Sequence, residues 1–323
     1  MRRDIPPLAE VRRITQKKRD AWWTVLLVDP VATPLVRFVA RRTRITPNQI
    51  TWGALVLGLV AAACFAKGDW SWLIAGALVY HLSFILDCMD GKVARLTGQG
   101  SVFGAWLDYI FDRIRVMACA IALMAGQYSR TGEMIYVWLA AVVVFLDGLR
   151  YINSLEIFKT RHTMRKQIKS RIRSARRAEN QAELAFMEDL LRDNPEADVE
   201  HDATSLRVRE EAPSGPVTLA ASQGQVIDLQ QEFRHRFPGY LRFRSFMLRH
   251  RIRTHLVSGI EFQMSVFIVG PLLDQVIGAT VVSAGLLLVF ELAIVYKLLL
   301  STRDFTRTMS SFEQQQQNIT TAA

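Results

Sequence analysis

Two long stretches without charge constrain this chain more than any other feature. Residues 48–66 hold 19 residues without Asp, Glu, Lys or Arg, and residues 70–86 hold another 17. A helix needs about 20 mainly apolar residues to cross the hydrocarbon core of a bilayer. We therefore predict that both stretches span a membrane, which excludes a soluble globular protein.

Four further apolar stretches are shorter, and three of them adjoin or contain charged residues. Such helices can still cross a bilayer when their charged side faces a protein interior or a water-filled cavity. The sequence thus predicts an all-α integral membrane protein with six transmembrane helices. The four shorter stretches are centred on residues 116–129, 134–146, 256–273 and 275–295.

The region before the first span has a different pattern. Residues 20–44 combine Trp, Leu, Val and Phe with Pro30, Pro34 and several flanking arginines. This pattern is typical of a helix that lies in the headgroup region rather than one that crosses it. We expect an interfacial juxtamembrane helix here, a poorly ordered basic segment over residues 1–20, and a first span that begins at Thr46-Pro47 with Thr46 as the N-cap.

The cationic residues predict an orientation. The chain has 40 Lys+Arg against 30 Asp+Glu, a net charge of +10. With six spans, only Lys67 and Arg130 fall on one side, so the positive-inside rule places both termini in the cytoplasm. We expect a multi-pass protein of the inner (plasma) membrane. No basic motif interleaved with aromatic residues is present, so a nucleic-acid partner is not expected.

The composition changes along the chain and predicts five parts. Good helix formers with many cations follow the fourth span, and a stretch rich in Asp, Glu, Pro, Ser and Gly comes after them. The predicted parts are a basic N-terminal segment with the interfacial helix (1–47), transmembrane helices 1–4 (48–158), a basic, partly helical and partly disordered cytoplasmic insertion (159–253), transmembrane helices 5–6 (254–301) and a cytoplasmic tail (302–323).

Four carboxylates lie at the junction of the second and third spans. Asp87 and Asp90 are three residues apart, and Asp108 and Asp112 are four apart. These spacings put each pair on one face of its own helix. If the two helices pack antiparallel, the pairs face each other.

Four converging carboxylates need compensating positive charge, which a divalent cation can supply. Oxygen ligands without Cys or His favour Mg²⁺ or Mn²⁺, and four of them suit two ions roughly 3.5 to 4 Å apart. The neighbouring residues indicate a phosphate ligand. Gly91, Ala94 and Gly104 leave room for close approach, and Arg95 can reach a phosphate one turn beyond Gly91.

The same residues form a recognisable signature. The segment has Asp87-x-x-Asp90-Gly91-x-x-Ala94-Arg95, then eight residues, then Gly104-x-x-x-Asp108-x-x-x-Asp112. It resembles the signature of the CDP-alcohol phosphotransferase family at all eight fixed positions over 26 residues. The resemblance extends from about residue 45 to residue 158 and covers the last two spans only by topology.

The resemblance implies an enzyme that moves a substituted phosphate from a CDP-linked donor to an alcohol and releases CMP, on the cytoplasmic side of the membrane. It implies a homodimer, and it identifies Asp87, Asp90 and Asp108 as metal ligands and Asp112 as both ligand and general base. The positions implied to bind the CDP donor are Asn48, Thr51, Gly91, Ala94, Arg95, Ser101 and Gly104.

The substrates are less constrained than the chemistry. CDP-diacylglycerol is the expected donor, because an intramembrane site suits a lipid; a soluble donor such as CDP-inositol or a CDP-aminoalcohol is the alternative. Arg150, His255 and Glu261 are candidates for the acceptor side, although Arg150 could instead pair with Asp147. A cation- or proton-coupled transporter is the alternative of another class, and it would predict mid-membrane acids and inverted repeats.

Overall fold

In the computed structural model, residues 5–193, 246–254 and 256–322 are described, and they are mainly helical. An isolated bridge joins Asp20 to Ile252. A π-helical turn at Thr24–Val28 leads into α2, and α7 contains a second one at Ser265–Val269. The helices are α1 (Leu8–Thr15), α2 (Asp29–Arg42), α3 (Pro47–Phe65), α4 (Trp70–Thr97), α5 (Val102–Thr131), α6 (Ile135–Asp193), α7 (Gly259–Leu272) and α8 (Val276–Ala322).

Local sequence explains where α3 begins. Thr46 accepts a hydrogen bond from the Gln49 backbone, and the Gln49 side chain accepts one from the Thr46 backbone at 2.9 Å. Pro47 occupies the first helical turn, where its missing N–H costs nothing. The predicted start of the first span is confirmed.

Within the described ranges, four helices are long and apolar enough to cross a membrane. Helix α5 is 30 residues long but carries Asp108, Asp112, Arg113 and Arg115, and α7 is a shorter apolar helix. That α5 and α7 also cross the membrane, which would give six spans, therefore remains a prediction. The four are α3, α4, Ile135–Ser174 of α6 and Val276–Gln314 of α8.

The chain divides into two compact units. One contains Met1–Leu155 and Phe237–Tyr296, and the other contains Glu156–Arg236 and Lys297–Ala323. In the second unit, Met164 and Leu300 are buried, and Arg171 lies 3.6 Å from Glu313. Residues 194–245 of the predicted insertion lie outside the described residues, and the five predicted parts remain a prediction.

The N-terminal segment differs from the expectation. Residues 1–20 were expected to be poorly ordered, but α1 forms at Leu8–Thr15 and buries Val11 and Thr15 completely. The C-terminal end of α1 is fixed by a distant side chain, since Arg95 donates two hydrogen bonds to the Thr15 carbonyl. The expectation was wrong because this contact is tertiary and has no local signal.

Candidate active site

Three carboxylates from two helices converge. One carboxylate oxygen from each of Asp87, Asp90 and Asp108 lies within 4.8 Å of the others. Asp90 is buried, and the other two residues are partly buried. The prediction that the carboxylate pairs of α4 and α5 face each other is confirmed for these three residues.

Asp90 has the most constrained carboxylate of the three. The Thr51 hydroxyl of α3 lies 2.6 Å from its Oδ2 atom, and the Gly91 backbone N–H donates to its Oδ1 atom. Thr51 itself is only 3% exposed. One oxygen is therefore oriented by a neighbouring helix and the other by the helix that carries Asp90.

Asp112 lies in a different electrostatic environment. Arg113 donates to its Oδ2 atom at 2.6 Å, and Arg115 donates to its Oδ1 atom. The Arg115 side chain is 1% exposed and also lies 3.2 Å from Asp87. Arg115 thus bridges a carboxylate of α4 and a carboxylate of α5 without access to solvent.

A second set of buried polar contacts continues from this bridge. Arg113 also pairs with Asp147 of α6, and Gln263 of α7 donates to Asp147 at 2.8 Å. Arg150 does not pair with Asp147, since its Nε atom lies 2.6 Å from Glu291 of α8. These contacts therefore join α6 to α5, to α7 and to α8.

All four aspartates line one cavity of about 410 Å³. Cationic groups line it as well, among them Lys17, Arg113 and Arg253. The cavity thus combines an acidic cluster with several cations, which suits a ligand that carries phosphate and binds through metal ions. The sequence-predicted site residues that line it are Asp87, Asp90, Gly91, Arg95, Asp108, Asp112 and Arg150.

Other sequence-predicted residues are described but are not part of the cavity lining. Thr51 reaches the site through Asp90, and Ala94 is partly buried on α4. Asn48 contacts α5 at Gly104, where a Cβ atom would lie 2.7 Å from the Asn48 Oδ1 atom. Ser101 caps α5 by accepting from the Gly104 N–H at 2.9 Å.

The acceptor-side candidates have unequal outcomes. Glu261 accepts from the Ser258 backbone at 3.0 Å and from the Trp22 backbone at 3.2 Å, so it caps α7 and holds the N-terminal segment. His255 lies outside the described residues. Arg150 lines the cavity, as the acceptor assignment requires.

Sequence reasoning missed a buried ion pair next to the signature. The Lys92 ammonium pairs with Asp29 of α2, and the side chains are 5% and 6% exposed. Arg251 lies 3.3 Å from the other Asp29 oxygen. A lysine within the signature and an aspartate within an otherwise apolar stretch were available as signals, because buried charges need partners.

The donor set fits a divalent cation. Carboxylate oxygens are the ligands that hard divalent ions prefer, and three of them are already brought together by two rigid helices. Asp112 lines the same cavity but is held by two guanidinium groups. The residues that would hold the ion are therefore Asp87, Asp90 and Asp108, with Asp112 beside them.

Comparison with known proteins agrees with this geometry. Residues 44–175 match the CDP-alcohol phosphatidyltransferase family. The chain is 34% identical over 140 residues to a phosphatidylinositol phosphate synthase of Cutibacterium acnes. This match covers 42% of the present chain and 62% of that protein. It is 30% identical over 100 residues to an archaetidylinositol phosphate synthase of Methanothermobacter thermautotrophicus, 31% of this chain and 50% of that protein.

A third relative shows how far the similarity extends. A bifunctional IPC transferase and DIPP synthase of Thermococcus kodakarensis is 34% identical over 116 residues, which is 36% of this chain and 25% of that protein. The match thus covers between a quarter and about three fifths of the length of these relatives. The apolar helices indicate a multi-pass membrane protein, and residues 44–175 of the chain are similar to the CDP-alcohol phosphatidyltransferase family.

Proposed function

We propose that this protein transfers a phosphatidyl, or related substituted phosphoryl, group from CDP-diacylglycerol to a polar alcohol and releases CMP. The observation that carries the proposal is the convergence of Asp87, Asp90 and Asp108 in the matched domain, in one cavity with Asp112 and Arg95. A lipid donor suits this site because the carboxylates lie at the end of a membrane-spanning helix, α4.

The acidic residues would hold two ions, Mg²⁺ or Mn²⁺, at the pyrophosphate of the donor. Such ions, when bound, screen phosphate charge and stabilise the leaving oxygen. Asp90 is pre-oriented for this role by Thr51 and by the Gly91 N–H. Among the predicted donor-binding residues, Gly91 and Arg95 line the cavity and would lie against the phosphates.

Asp112 would accept the proton of the acceptor hydroxyl as that hydroxyl attacks phosphorus. Arg113 and Arg115 donate to its two oxygens, which favours the ionised form that a general base requires. Arg115 also contacts Asp87 at 3.2 Å, so it holds the base in a fixed relation to a metal ligand.

For the acceptor, we propose an alcohol that itself carries phosphate. Two of the relatives described above are named as a phosphatidylinositol phosphate synthase and an archaetidylinositol phosphate synthase, and the cavity holds cations in addition to Arg95. Arg150 is fixed by Glu291 at 2.6 Å and faces the same cavity, so it is the first candidate to bind an acceptor phosphate. An inositol phosphate is the corresponding test substrate.

The membrane arrangement is part of the proposal. Adding α5 and α7 to the four apolar helices gives six spans, with α2 at the membrane interface, both termini in the cytoplasm of the cell's inner membrane, and a homodimer as the assembly. Helix α2 supports the interfacial position, since Leu35 and Phe38 are exposed and Arg41 and Arg42 close its last turn.

The test is CMP release by the purified protein. It would be supplied with CDP-diacylglycerol, Mg²⁺ or Mn²⁺, and a panel of alcohols that includes an inositol phosphate and unphosphorylated inositol. We expect CMP only when donor, metal and an alcohol are all present, with the phosphorylated alcohol preferred. Soluble CDP-alcohols in place of the lipid donor test the alternative donor class.

Two Asp→Asn variants show whether CMP release depends on the proposed base: Asp112→Asn removes it, and Asp69→Asn is the matched control. Asp69 precedes α4 at its other end and makes no capping hydrogen bond, so its substitution should leave the rate unchanged. Asp112→Asn should abolish turnover. Wild type that releases no CMP with any pair, and is indistinguishable from Asp112→Asn, would overturn the proposed function.

A further inference from the structure

Residues that precede the matched domain contribute to the wall of the cavity. Thr15, Lys17 and Asp20 line it, although the family match begins only at residue 44. We propose that residues 15–20 belong to the donor site, where the Thr15 carbonyl orients Arg95 and the Lys17 ammonium binds the diphosphate of a CDP-linked donor. This inference rests on the proposed function, because it names further residues of the same site.

The contact between Arg95 and Thr15 uses one edge of the guanidinium. Nε and Nη2 donate to the Thr15 carbonyl at 3.1 and 2.9 Å. A guanidinium has five N–H groups in a fixed plane, so fixing one edge fixes the direction of the others. Nη1 lies on the side of Gly91, 3.5 Å from the place where a Cβ atom would be. Its N–H groups can therefore bind a phosphate that approaches Gly91.

The end of α1 explains why a carbonyl can serve this purpose. The last four carbonyls of a helix lack partners within the helix and form the negative end of its dipole. Thr15 is the last residue of α1 and is completely buried, so its carbonyl needs a donor from elsewhere in the protein. Arg95 supplies that donor and gains a fixed orientation.

Two arginines from the segment before α7 hold residues 17–20 in place. Arg251 donates to the Lys17 carbonyl at 2.9 Å, and its own carbonyl accepts from the Asp20 N–H at 2.9 Å. Arg253 donates its backbone N–H to the Asp20 carbonyl at 2.9 Å and pairs with the Asp20 carboxylate at 3.3 Å. The backbone that carries Lys17 is therefore clamped at both of its ends.

The same clamp reaches the helix that carries the signature. Arg251 pairs with Asp29, which pairs with Lys92, the residue next to Gly91. Arg251 also has a left-handed backbone, with φ of 61°, which costs a non-glycine residue free energy and persists only where other contacts fix it. These contacts place the Lys17 backbone and the Asp90-Gly91 backbone in one connected frame.

The experiment measures binding of CDP itself, in the presence of Mn²⁺, to the full-length protein by calorimetry. Lys17→Met should weaken CDP binding about tenfold, since a hydrogen bond to a charged group is lost, and Lys17→Arg should retain most of it. Arg251→Met should also weaken CDP binding, through the Lys17 backbone. Lys18→Met is the matched control, because Lys18 is next to Lys17 and likewise exposed but is not part of the cavity lining.

A deletion of residues 2–14 tests the Thr15 contact by removing α1. It should weaken CDP binding about tenfold or more, because without α1 the Thr15 carbonyl no longer orients the Arg95 N–H groups toward the phosphate. Mn²⁺ binding should stay within about twofold of wild type. Thermal melting of each variant shows whether it is folded. Because Mn²⁺ binding is measured on the same samples, damage to the carboxylates is distinguishable from loss of the donor contacts.

Four results would overturn the inference, and the fourth also overturns the proposed function. Wild-type CDP affinity in Lys17→Met removes Lys17 from the donor site. Tighter CDP binding after the deletion or in Arg251→Met would show that residues 15–20 compete with the donor for Arg95. Wild type that releases CMP while every variant keeps the wild-type KM for the donor refutes only this inference; wild type that neither binds CDP nor releases CMP refutes the proposed function as well.

Discussion

Helices α3, α4 and α5 meet at two ends, and different forces hold the two ends together. At the first end, glycines of α5 and α4 pack closely against Phe65 of α3. A Cβ atom on Gly126 would overlap the Phe65 carbonyl oxygen, and one on Gly76 would lie 2.6 Å from the Phe65 ring. At the second end, carboxylates and guanidinium groups meet around a cavity of about 410 Å³.

The difference indicates how the two ends respond to substitution. A close-packed contact depends on volume, so a change there alters the free energy of unfolding. A cluster of like charges opposes folding in the absence of its ligand, so a change there alters activity more than stability. We call the two regions the packed end and the charged end.

Asp90→Asn tests the charged end with the largest expected effect. It should lower the rate of CMP release by about 1000-fold or more, because a preorganised electrostatic group is lost at the reacting phosphate. Melting without divalent ions should be unchanged or higher, since repulsion with Asp87 and Asp108 is relieved. The melting shift produced by Mn²⁺ should shrink, because an ion that binds only the native state stabilises it.

The control for this prediction is Asp69→Asn, the same substitution at the residue that precedes the same helix, near the packed end. It should change neither the rate nor the response to Mn²⁺. A large loss of metal-free stability in Asp90→Asn, with activity retained, would contradict the distinction between the two ends.

Arg115→Met tests a residue of the charged end that should affect stability as well as activity. Arg115 belongs to the charged end but is 1% exposed and pairs with both Asp87 and Asp112. Breaking a buried ion pair costs about 3 kcal/mol, so this variant should lose stability as well as activity. Denaturant unfolding in detergent measures the loss.

Arg130→Met is its counterpart at the packed end of α5. Arg130 lies 3.2 Å from Asp274, and both side chains are more than a third exposed. Such a pair contributes less than about 1 kcal/mol. Equal losses in the two variants would show that burial of Arg115 does not determine its contribution.

Gly126→Ala tests the packed end directly. The added methyl group requires α5 to move away from Phe65, which should cost about 2 kcal/mol. Activity per folded molecule should stay at the wild-type level, and unfolding and CMP release measured on one sample separate the two quantities. Gly148→Ala in α6 is the control, because among the described residues no atom other than its chain neighbours and the adjacent α6 backbone lies within 4 Å of its added Cβ.

The sequence predicted the charged end better than its surroundings, for a physical reason. The spacings of Asp87 to Asp90 on α4 and of Asp108 to Asp112 on α5 are local, and the start of α5 is also locally encoded, by the Ser101 cap. The contact of Arg95 with Thr15 spans 80 residues and involves a main-chain carbonyl, which has no side-chain signature. Long-range contacts of this kind follow from packing and not from periodicity.

Glu261 shows a signal that was present in the sequence but was interpreted differently. An acid in an apolar stretch indicates either a ligand contact or a structural partner. The spacing Ser258-x-x-Glu261 is that of a capping box, and the Glu261 carboxylate accepts from both the N–H and the hydroxyl of Ser258. The spacing to a preceding serine distinguishes the two interpretations where the apolar context does not.

Ser101 separates a local structural role from a substrate role, and its substitution should have the smallest effect. The resemblance assigns it to CDP, whereas the structure shows its Oγ atom as the N-cap of α5, 2.9 Å from the Gly104 nitrogen. If the cap is its whole role, Ser101→Ala should cost about 1 kcal/mol of stability and Ser101→Gly only a few tenths, because glycine is tolerated at this position. Both variants would keep the donor KM of wild type. If the hydroxyl binds CDP, Ser101→Ala and Ser101→Gly lose that hydroxyl equally. The KM for the donor should then rise by the same factor in both variants, while their stabilities still differ.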